Sequence, residues 1–250
     1  MRIATLKAVN AARRSREAIV LVTDTQSGEE RVVAQDRFGT DPLAETIADR
    51  LRTAKSGMLD DGHTFLTVHV PPPRLVVIGA VHISQALAPM ARIAGLDMRV
   101  IDPRTAFATP ERFPDVTLHA EWPEEVLAAE PLDAYTALAA ITHDPKIDDM
   151  PLLAALKAGC FYIGALGSRR THATRCERLK EQGATADDLA RIHAPIGLDI
   201  GAQSPAEIAV AVLAEVIAAL RRRPAEKRAA AGNSARSRPA RRTGRSWPIR

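Results

Sequence analysis

Glycines and ionisable residues follow several apolar segments of the chain at spacings that suit ligand binding. In VVIGAVHIS, Gly79 comes directly after an apolar run, and Asp102 stands about twenty residues further on, where a dinucleotide fold has its ribose-binding carboxylate. The residues of this predicted half-site are Gly79, Ala80, Val81, His82, Asp102 and Arg104. The alternative is that Gly79 only makes a tight turn and that Asp102 caps the next loop.

Val81 departs from the dinucleotide pattern. It stands where a second glycine would let the backbone approach a pyrophosphate. A β-branched side chain is poorly suited to a left-handed backbone and would crowd the phosphates. The sequence therefore favours a modified turn over classical NAD(P) binding.

The segment GALGSRR has the composition of an anion site. Gly164 and Gly167 free the backbone before a predicted helix, Ser168 can cap that helix, and Arg169 and Arg170 follow. Exposed N–H groups, the positive end of the helix dipole and guanidinium groups all favour phosphate. The alternative is a turn after a strand with arginines that face solvent.

A histidine and an acid stand together in THDPKIDD, at the end of another apolar run. His143 and Asp144 could bind a metal ion or move a proton, and Thr142 directly before them is a further candidate for cofactor binding. Asp144 could equally cap the helix that follows.

A further loop candidate is the segment GLDIGAQSPAEIA. Gly197 and Gly201 flank Asp199 ahead of a helix that Ser204 and Glu207 would cap, so this loop could close over a ligand.

Secondary-structure elements must bring these candidate residues together. The sequence from Arg74 onward predicts such elements. Apolar runs of strand length alternate with segments of helical period up to the long final helix of SPAEIAVAVLAEVIAALRR. Such alternation predicts βαβ units and a parallel sheet. The predicted fold class is α/β, a Rossmann-like doubly wound sheet (74–222), whose ligands bind outside the carboxyl ends of the strands.

A smaller α+β part is predicted before it (1–70). After a polar leader, the segments 18–24 and 30–35 form a predicted hairpin, and a helix follows with Asp41 as its N-cap. Another strand (63–70) ends at three consecutive prolines, which cannot continue it. The predicted boundary lies at these prolines.

The charge of the chain is unevenly distributed. The formal net charge is +4, yet residues 221–250 hold eleven Lys or Arg against one acid, so the remainder is net acidic. This end lacks apolar periodicity, which predicts a disordered basic tail (223–250). A nucleic-acid arm is the alternative, and a solvated, dispensable extension is favoured.

Composition also bears on the compartment. No apolar run approaches the roughly 20 residues of a membrane span, and the first residues lack the apolar stretch of a secretory signal. Two cysteines are too few for a disulfide framework; Cys160, placed within a strand, and Cys176, placed in a helix, are interpreted as core residues. The expected protein is cytoplasmic, with no membrane partner.

Taken together, the motifs resemble the XdhC/CoxI family of xanthine dehydrogenase accessory proteins over about residues 74–220. The likeness is carried by VVIGAVHISQALA, VIDPR with RFP, ITHDPKID, YIGALGSRRTH and PIGLDIGAQSPAEIAVAVLAEVIA. The earlier residues (18–70) look like a short form of the amino-terminal part of the family.

The resemblance implies a chaperone that is non-catalytic or weakly catalytic. Such a protein binds molybdenum cofactor (molybdopterin), protects it during sulfuration by a cysteine desulfurase, and hands it to a molybdenum hydroxylase of the xanthine dehydrogenase or CO-dehydrogenase type. A homodimer is a further possibility. The positions that match family motifs are Gly79, His82, Asp102, His143, Asp144, Gly164, Gly167, Ser168, Arg169 and Arg170.

Two departures from the family are visible. Many members have glycine where Val81 stands, and many have a Cys-Gly-Gly segment early in the chain, whereas no cysteine precedes Cys160 here. A Rossmann-like cradle with an anion-binding turn suits a pterin with a phosphate tail even where NAD(P) would be crowded. The competing hypotheses are an NAD(P)-dependent oxidoreductase, for which the sequence offers no convincing proton donor, and a regulatory protein that senses a nucleotide.

Overall fold

The structure, a computed structural model, describes residues 2–222. The predicted basic tail (223–250) lies outside the described residues.

Four antiparallel strands form the first sheet. They are β1 (Ile19–Asp24), β2 (Glu30–Ala34), β3 (Gly57–Met58) and β4 (Thr64–His69), in the order β2-β1-β4-β3. β1 and β2 form the predicted hairpin, and Gly28 in its turn has a left-handed φ of 73°. The triple proline follows β4, as the sequence predicted.

The helices of this part differ from prediction in two places. The polar leader is the helix α1 (Ile3–Ser15), which buries Val9 and Ala12. A 3₁₀ helix (Gln35–Thr40) precedes α2 (Ala44–Thr53), which begins later than predicted. Asp41 is therefore not its N-cap; the Asp41 carboxylate instead accepts a hydrogen bond from the Leu43 N–H at 2.9 Å.

The second sheet contains six parallel strands. They are β5 (Arg74–Ile78), β6 (Asp97–Ile101), β7 (Thr117–His119), β8 (Thr136–Ala140), β9 (Tyr162–Ala165) and β10 (Ile192–His193). Their order is β10-β9-β8-β5-β6-β7, with every neighbouring pair parallel. The strand order reverses between β5 and β8, where ligands bind in doubly wound folds. The predicted fold class is confirmed.

Helices cover both faces of this sheet. They are α3 (His82–Ile93), α4 (Pro123–Ala129), α5 (Pro145–Lys157), α6 (Arg169–Glu181), α7 (Ala186–Leu189) and α8 (Pro205–Arg222). Val77 of β5 belongs to a core with α3 and α8, and its neighbour Val76 belongs to a core with α5 and α6. This alternation explains why all of β5 is buried and why every residue after Arg74 in it is apolar, as is typical of a central parallel strand. The sequence did not predict α7 or β10.

An ion pair and a shared core join the two sheets. Arg16, at the end of α1, donates from Nε to Asp133 Oδ2 at 2.5 Å and from Nη2 to the Pro72 carbonyl at 3.0 Å. Tyr135 packs in the core of the first sheet although it stands next to β8. Asp133 and Tyr135, which belong to the second part of the chain, therefore contribute an ion pair and a core side chain to the first part.

Two further expectations meet the structure here. Within the described residues, none of the helices is long and apolar enough to cross a membrane. Cys160 lies just before β9 rather than within it, and burial raises the pKa of its thiol to about 12. Cys176 lies in α6, as predicted. The high pKa of Cys160 agrees with a core role.

Candidate functional site

Most of the predicted site residues lie at one edge of the parallel sheet, where the carboxyl ends of its strands meet. They are 79–82 after β5, Asp102 and Arg104 after β6, 142–144 after β8, and 167–170 after β9. Asp199 is exposed in the loop after β10, and within residues 2–222 no hydrogen bond or ion pair joins it to the others. The structure thus brings together the predicted residues with the exception of Asp199, and of Gly164, which belongs to β9 itself.

The β5–α3 turn depends on Gly79. Its φ is 123°, and a Cβ built there would lie 3.0 Å from Thr142 Cγ2 and 3.3 Å from the Thr142 backbone nitrogen. A side chain would push the two strand ends apart, so glycine is required for their close approach. The turn is consequently pressed against the end of β8 at the switch point.

Val81 does not adopt the conformation expected for a pyrophosphate turn. Its φ is −106°, an extended backbone at the N-cap of α3, so the predicted conflict with a left-handed backbone does not arise. Its N–H donates to Ser84 Oγ at 2.9 Å. His82 is exposed at the first residue of α3. The turn differs from a dinucleotide turn because the Val81 N–H is bonded to Ser84 and the Ala80 N–H to Asp102.

Asp102 is engaged within the protein. Its fully buried carboxylate accepts hydrogen bonds from the Ala80 N–H at 2.7 Å and from Nε and Nη2 of Arg104 at 2.9 and 2.8 Å. The Arg104 N–H also donates to it at 3.0 Å. Burial would raise the pKa of Asp102, but the hydrogen bonds from Arg104 and Ala80 outweigh burial and lower it. With each oxygen accepting twice, the carboxylate has little capacity left for a ribose hydroxyl.

An arginine-flanked aromatic ring stands beside this turn. The guanidinium carbon of Arg104 lies 4.9 Å from the centre of the Phe107 ring, and that of Arg112 lies 6.0 Å from it. Arg112 also donates to the Ala80 carbonyl at 3.0 Å. Phe107 is 45% exposed, so part of its ring faces solvent. Sequence reasoning did not single out Phe107 or Arg112, although RFP was part of the family resemblance.

The β8–α5 loop has strained backbone at His143. Its φ is 67°, which is uncommon outside glycine. Asp148 holds the loop, because its carboxylate accepts from Thr142 Oγ1 at 2.7 Å and from the His143 N–H at 3.1 Å. Asp144 is the N-cap of α5 and accepts from the Lys146 N–H, so its carboxylate has the capping role that sequence analysis weighed against a chemical one. The His143 side chain is exposed.

The two glycines of GALGSRR have different roles. Gly164 lies inside β9, where a Cβ would meet Ile196 and the Tyr162 hydroxyl at 2.6 Å, so its role is packing rather than ligand contact. Gly167 makes the turn into α6 with a φ of 133°. Ser168 caps α6 by accepting from the Thr171 N–H at 3.1 Å. The helix N-terminus predicted from sequence is therefore present at this edge.

A cleft of about 270 Å³ lies between α5 and α6, beside this helix N-terminus. It is lined by His143, Pro145, Asp148, Asp149, Arg170, Thr171, Thr174, Arg175 and Arg178. Arg170 is among the lining residues, whereas Arg169, which is also exposed, is not. The two arginines that the sequence treated as a pair thus differ in position.

Sequence reasoning missed Arg175 and Arg178. Arg175 and Arg178 stand three residues apart and so share a face of α6, and this spacing was the available signal. Arg178 donates to both oxygens of Asp149 at 2.7 and 3.0 Å. Arg175 is only 2% exposed; its Nη2 donates to the Leu166 carbonyl at 2.8 Å, and its Nε and Nη1 have no partner.

The fold and this edge define a Rossmann-type domain with a cationic helix face. The sequence model of the XdhC Rossmann domain matches residues 75–216, and the chain therefore belongs to the XdhC family. The resemblance seen in the motifs is confirmed.

Curated relatives come from two bacteria. The chain is 36% identical over 180 residues to the Escherichia coli protein YqeB, named as uncharacterized, covering 70% of this chain and 32% of that protein. It is 30% identical over 176 residues to the E. coli molybdenum cofactor insertion chaperone PaoD, covering 70% and 48%. It is 34% identical over 148 residues to a Bacillus subtilis protein named as a probable subunit of xanthine dehydrogenase, covering 59% and 43%. The chain thus spans about a third to a half of the length of these relatives.

A solved structure shares the fold. The crystal structure of a xanthine dehydrogenase from Bacillus halodurans superposes with a TM-score of 0.61 at 24% sequence identity. The match covers 91% of this chain and 66% of that one. At this level of identity the likeness concerns the fold alone.

Proposed function

We propose that this protein binds molybdenum cofactor and delivers it to a molybdenum hydroxylase of the xanthine dehydrogenase or CO-dehydrogenase type. The observation that carries the proposal is the cationic cleft between α5 and α6 at the carboxyl edge of the parallel sheet, in a chain 30% identical to a molybdenum cofactor insertion chaperone. In this proposal the chain is an accessory protein that holds the cofactor and is non-catalytic or weakly catalytic.

The residues present fit the organic part of such a cofactor. Buried N–H groups of Arg175 without a partner and the exposed Arg170 are donors for a phosphate group, beside the positive end of the α6 dipole. The exposed Phe107 ring offers a stacking surface for a planar ring system. When bound, the cofactor would supply the molybdenum chemistry of the target enzyme; this chain would orient the cofactor and shield it from water.

The described residues offer no matching group of side chains that could bind the metal of the cofactor. Among residues 2–222, no group of three or more His, Cys, Asp or Glu side chains is placed to hold a metal ion. We therefore propose that the chain binds the cofactor through its pterin and phosphate groups rather than through the metal. Protection during sulfuration by a cysteine desulfurase, a homodimeric assembly and a cytoplasmic location are finer parts of the same proposal.

The engagement of Asp102 argues against an NAD(P)-dependent oxidoreductase. Its carboxylate already accepts four hydrogen bonds from Ala80 and Arg104. A dinucleotide enzyme needs that carboxylate for the ribose. Weak NAD(P) binding is the expected result.

Purification from a molybdate-fed host tests the proposal. We expect molybdenum and the fluorescent oxidised pterin to co-purify with this protein at about one per chain, and equilibrium titration to show only weak binding of NAD or NADP. Transfer is then measured as activation of a cofactor-free molybdenum hydroxylase. Tight NAD(P) binding without a pterin signal would contradict the proposed function.

A further inference from the structure

The cleft between α5 and α6 contains a buried cation with unused donors. The Arg175 side chain is 2% exposed and lines the cleft, and its Nε and Nη1 lack partners among the described residues. A guanidinium group stays charged in proteins, and a buried charge is costly unless it is paired and hydrogen-bonded. The position of Arg175 is explained if an anion completes its hydrogen bonds.

The nearby acids do not complete the hydrogen bonds of Arg175. The Asp149 carboxylate accepts hydrogen bonds from Nε and Nη2 of Arg178. Asp148 turns its oxygens toward Thr142 and His143 instead. Three guanidinium groups line the cleft against two carboxylates, so the cleft keeps an excess of positive charge.

The backbone adds to this preference for anions. α6 has thirteen residues, and the cleft runs along its first turns from Arg170 and Thr171 to Thr174. The first N–H groups of a helix have no partner within the helix and lie at the positive end of its dipole. The positive end of the α6 dipole and the arginines of α6 thus border one cavity.

We propose that the α5–α6 cleft is a phosphate-group site, with Arg175 as its buried anchor and Arg170 at its mouth. This inference rests on the proposed function only for the source of the phosphate, which is then the tail of the cofactor. It also corrects the simplest view of GALGSRR, because Arg169 takes no part.

The first test uses inorganic phosphate and pyrophosphate as probes, titrated calorimetrically into the full-length protein. Thr174→Glu places a carboxylate in the cleft from an exposed position, and Ala173→Glu adds the same charge one residue away, outside the lining. We expect Thr174→Glu to weaken pyrophosphate binding by about tenfold or more, and Ala173→Glu to change it by less than about threefold.

The second test removes the cations one at a time. Arg175→Met should weaken pyrophosphate binding by about tenfold or more, whereas Arg169→Ala should leave it within about twofold. Thr174→Glu keeps the test valid if Arg175→Met fails to fold. Equal losses in Thr174→Glu and Ala173→Glu, or no binding of either probe by the unaltered protein, would overturn the site.

Cofactor co-purification distinguishes the proposed phosphate site from the proposed chaperone function. If pyrophosphate binds as expected but the cofactor does not co-purify, the site stands and the chaperone function fails. If Thr174→Glu retains the cofactor at full occupancy, the chaperone function stands and the cleft is not its phosphate site. Matching losses of pyrophosphate and cofactor in Thr174→Glu support both.

Discussion

Asp102 shows how a residue can stand at a predicted position and have a different role. Its distance along the chain from Gly79 matches a ribose-binding carboxylate, but Arg104 and the Ala80 N–H occupy its oxygens. Spacing gives the position of a side chain after a strand. Spacing cannot give the hydrogen bonds of that side chain. Those bonds depend on the rotamer of Arg104 and on the β5–α3 turn, which brings the Ala80 N–H to the carboxylate.

Asp102→Asn should therefore destabilise the protein without any ligand. The change removes charge-assisted bonds from Arg104 and leaves a buried amide facing its guanidinium group, at a cost of about 1.5–3 kcal/mol. Thermal unfolding at neutral pH should show a melting temperature lower by about 3–12 °C for a chain of this size. Asp115→Asn, at an exposed acid paired with exposed Arg92, should have little effect.

The pH dependence of this difference has a defined sign. The folded-state pKa of Asp102 is lowered, so its stabilising effect is present above the ordinary pKa of 3.8 and is lost as pH falls through the folded value. The gap between the original protein and Asp102→Asn should be largest near neutral pH and shrink in acid. An equal melting temperature for both proteins at pH 7 would show that the carboxylate is free, as a ribose ligand would be.

At the scale of elements, apolar patterning predicted the long helices and buried strands well. β5 is apolar on both faces because it lies in the centre of the sheet, and α8 begins at the predicted Ser204–Glu207 cap, where the Ser204 N–H donates to the Glu207 carboxylate at 3.1 Å. α1 was missed because only Thr5, Val9 and Ala12 of its thirteen residues are buried, so it has no run of large core-facing side chains. β10 has two residues, too short to leave a pattern.

Glu215 joins elements that the sequence pattern treats separately. On α8, its carboxylate accepts from the Tyr162 hydroxyl of β9 at 2.7 Å and from the Gly197 N–H at 2.8 Å, and lies 2.8 Å from His193 Nδ1 of β10. Burial, together with the adjacent Glu215, raises the pKa of Tyr162, so its hydroxyl remains a donor at any working pH. These contacts bind the edge of the sheet to its longest helix.

A double-mutant cycle on Tyr162→Phe and Glu215→Gln tests this link. Each single change should cost about 1–3 kcal/mol, because it leaves a buried partner unsatisfied. The double variant should lose less than the sum, with a coupling energy of about 0.5–3 kcal/mol from denaturant unfolding. Strict additivity would mean that the two side chains stabilise the fold independently.

For the molecule as a whole, the sequence predicted an amino-terminal part (1–70) and a Rossmann-like part (74–222). It did not predict the contacts between them. The triple proline marks the proposed boundary between them (71–73). Tyr135 lies in the core of the first part, and Asp133 receives Arg16, although more than a hundred residues separate the last two. Contacts between residues so far apart in sequence leave no local period or spacing, so only the folded chain reveals them.

Arg16→Gln should loosen the joint between the two parts. Burial would raise the pKa of Asp133, but hydrogen bonds from Arg16 and Thr136 outweigh it and lower the pKa, so the carboxylate is charged and needs its partner. Losing Arg16 should cost about 1–3 kcal/mol, since both side chains are about four-fifths buried.

The measurement is hydrogen exchange followed by mass spectrometry, beside thermal unfolding. Arg16 bonds the Pro72 carbonyl, which follows β4, and Asp133, which precedes β8. In Arg16→Gln, the backbone amides of β4 and β8 should therefore lose protection from exchange together, while those of β6 and β7 keep theirs. Arg14→Gln, an exposed change in the last turn of α1, should alter neither the exchange nor the melting temperature. Faster exchange confined to α1 would show that Arg16 anchors only its own helix and that the shared core around Tyr135 suffices to hold the parts together.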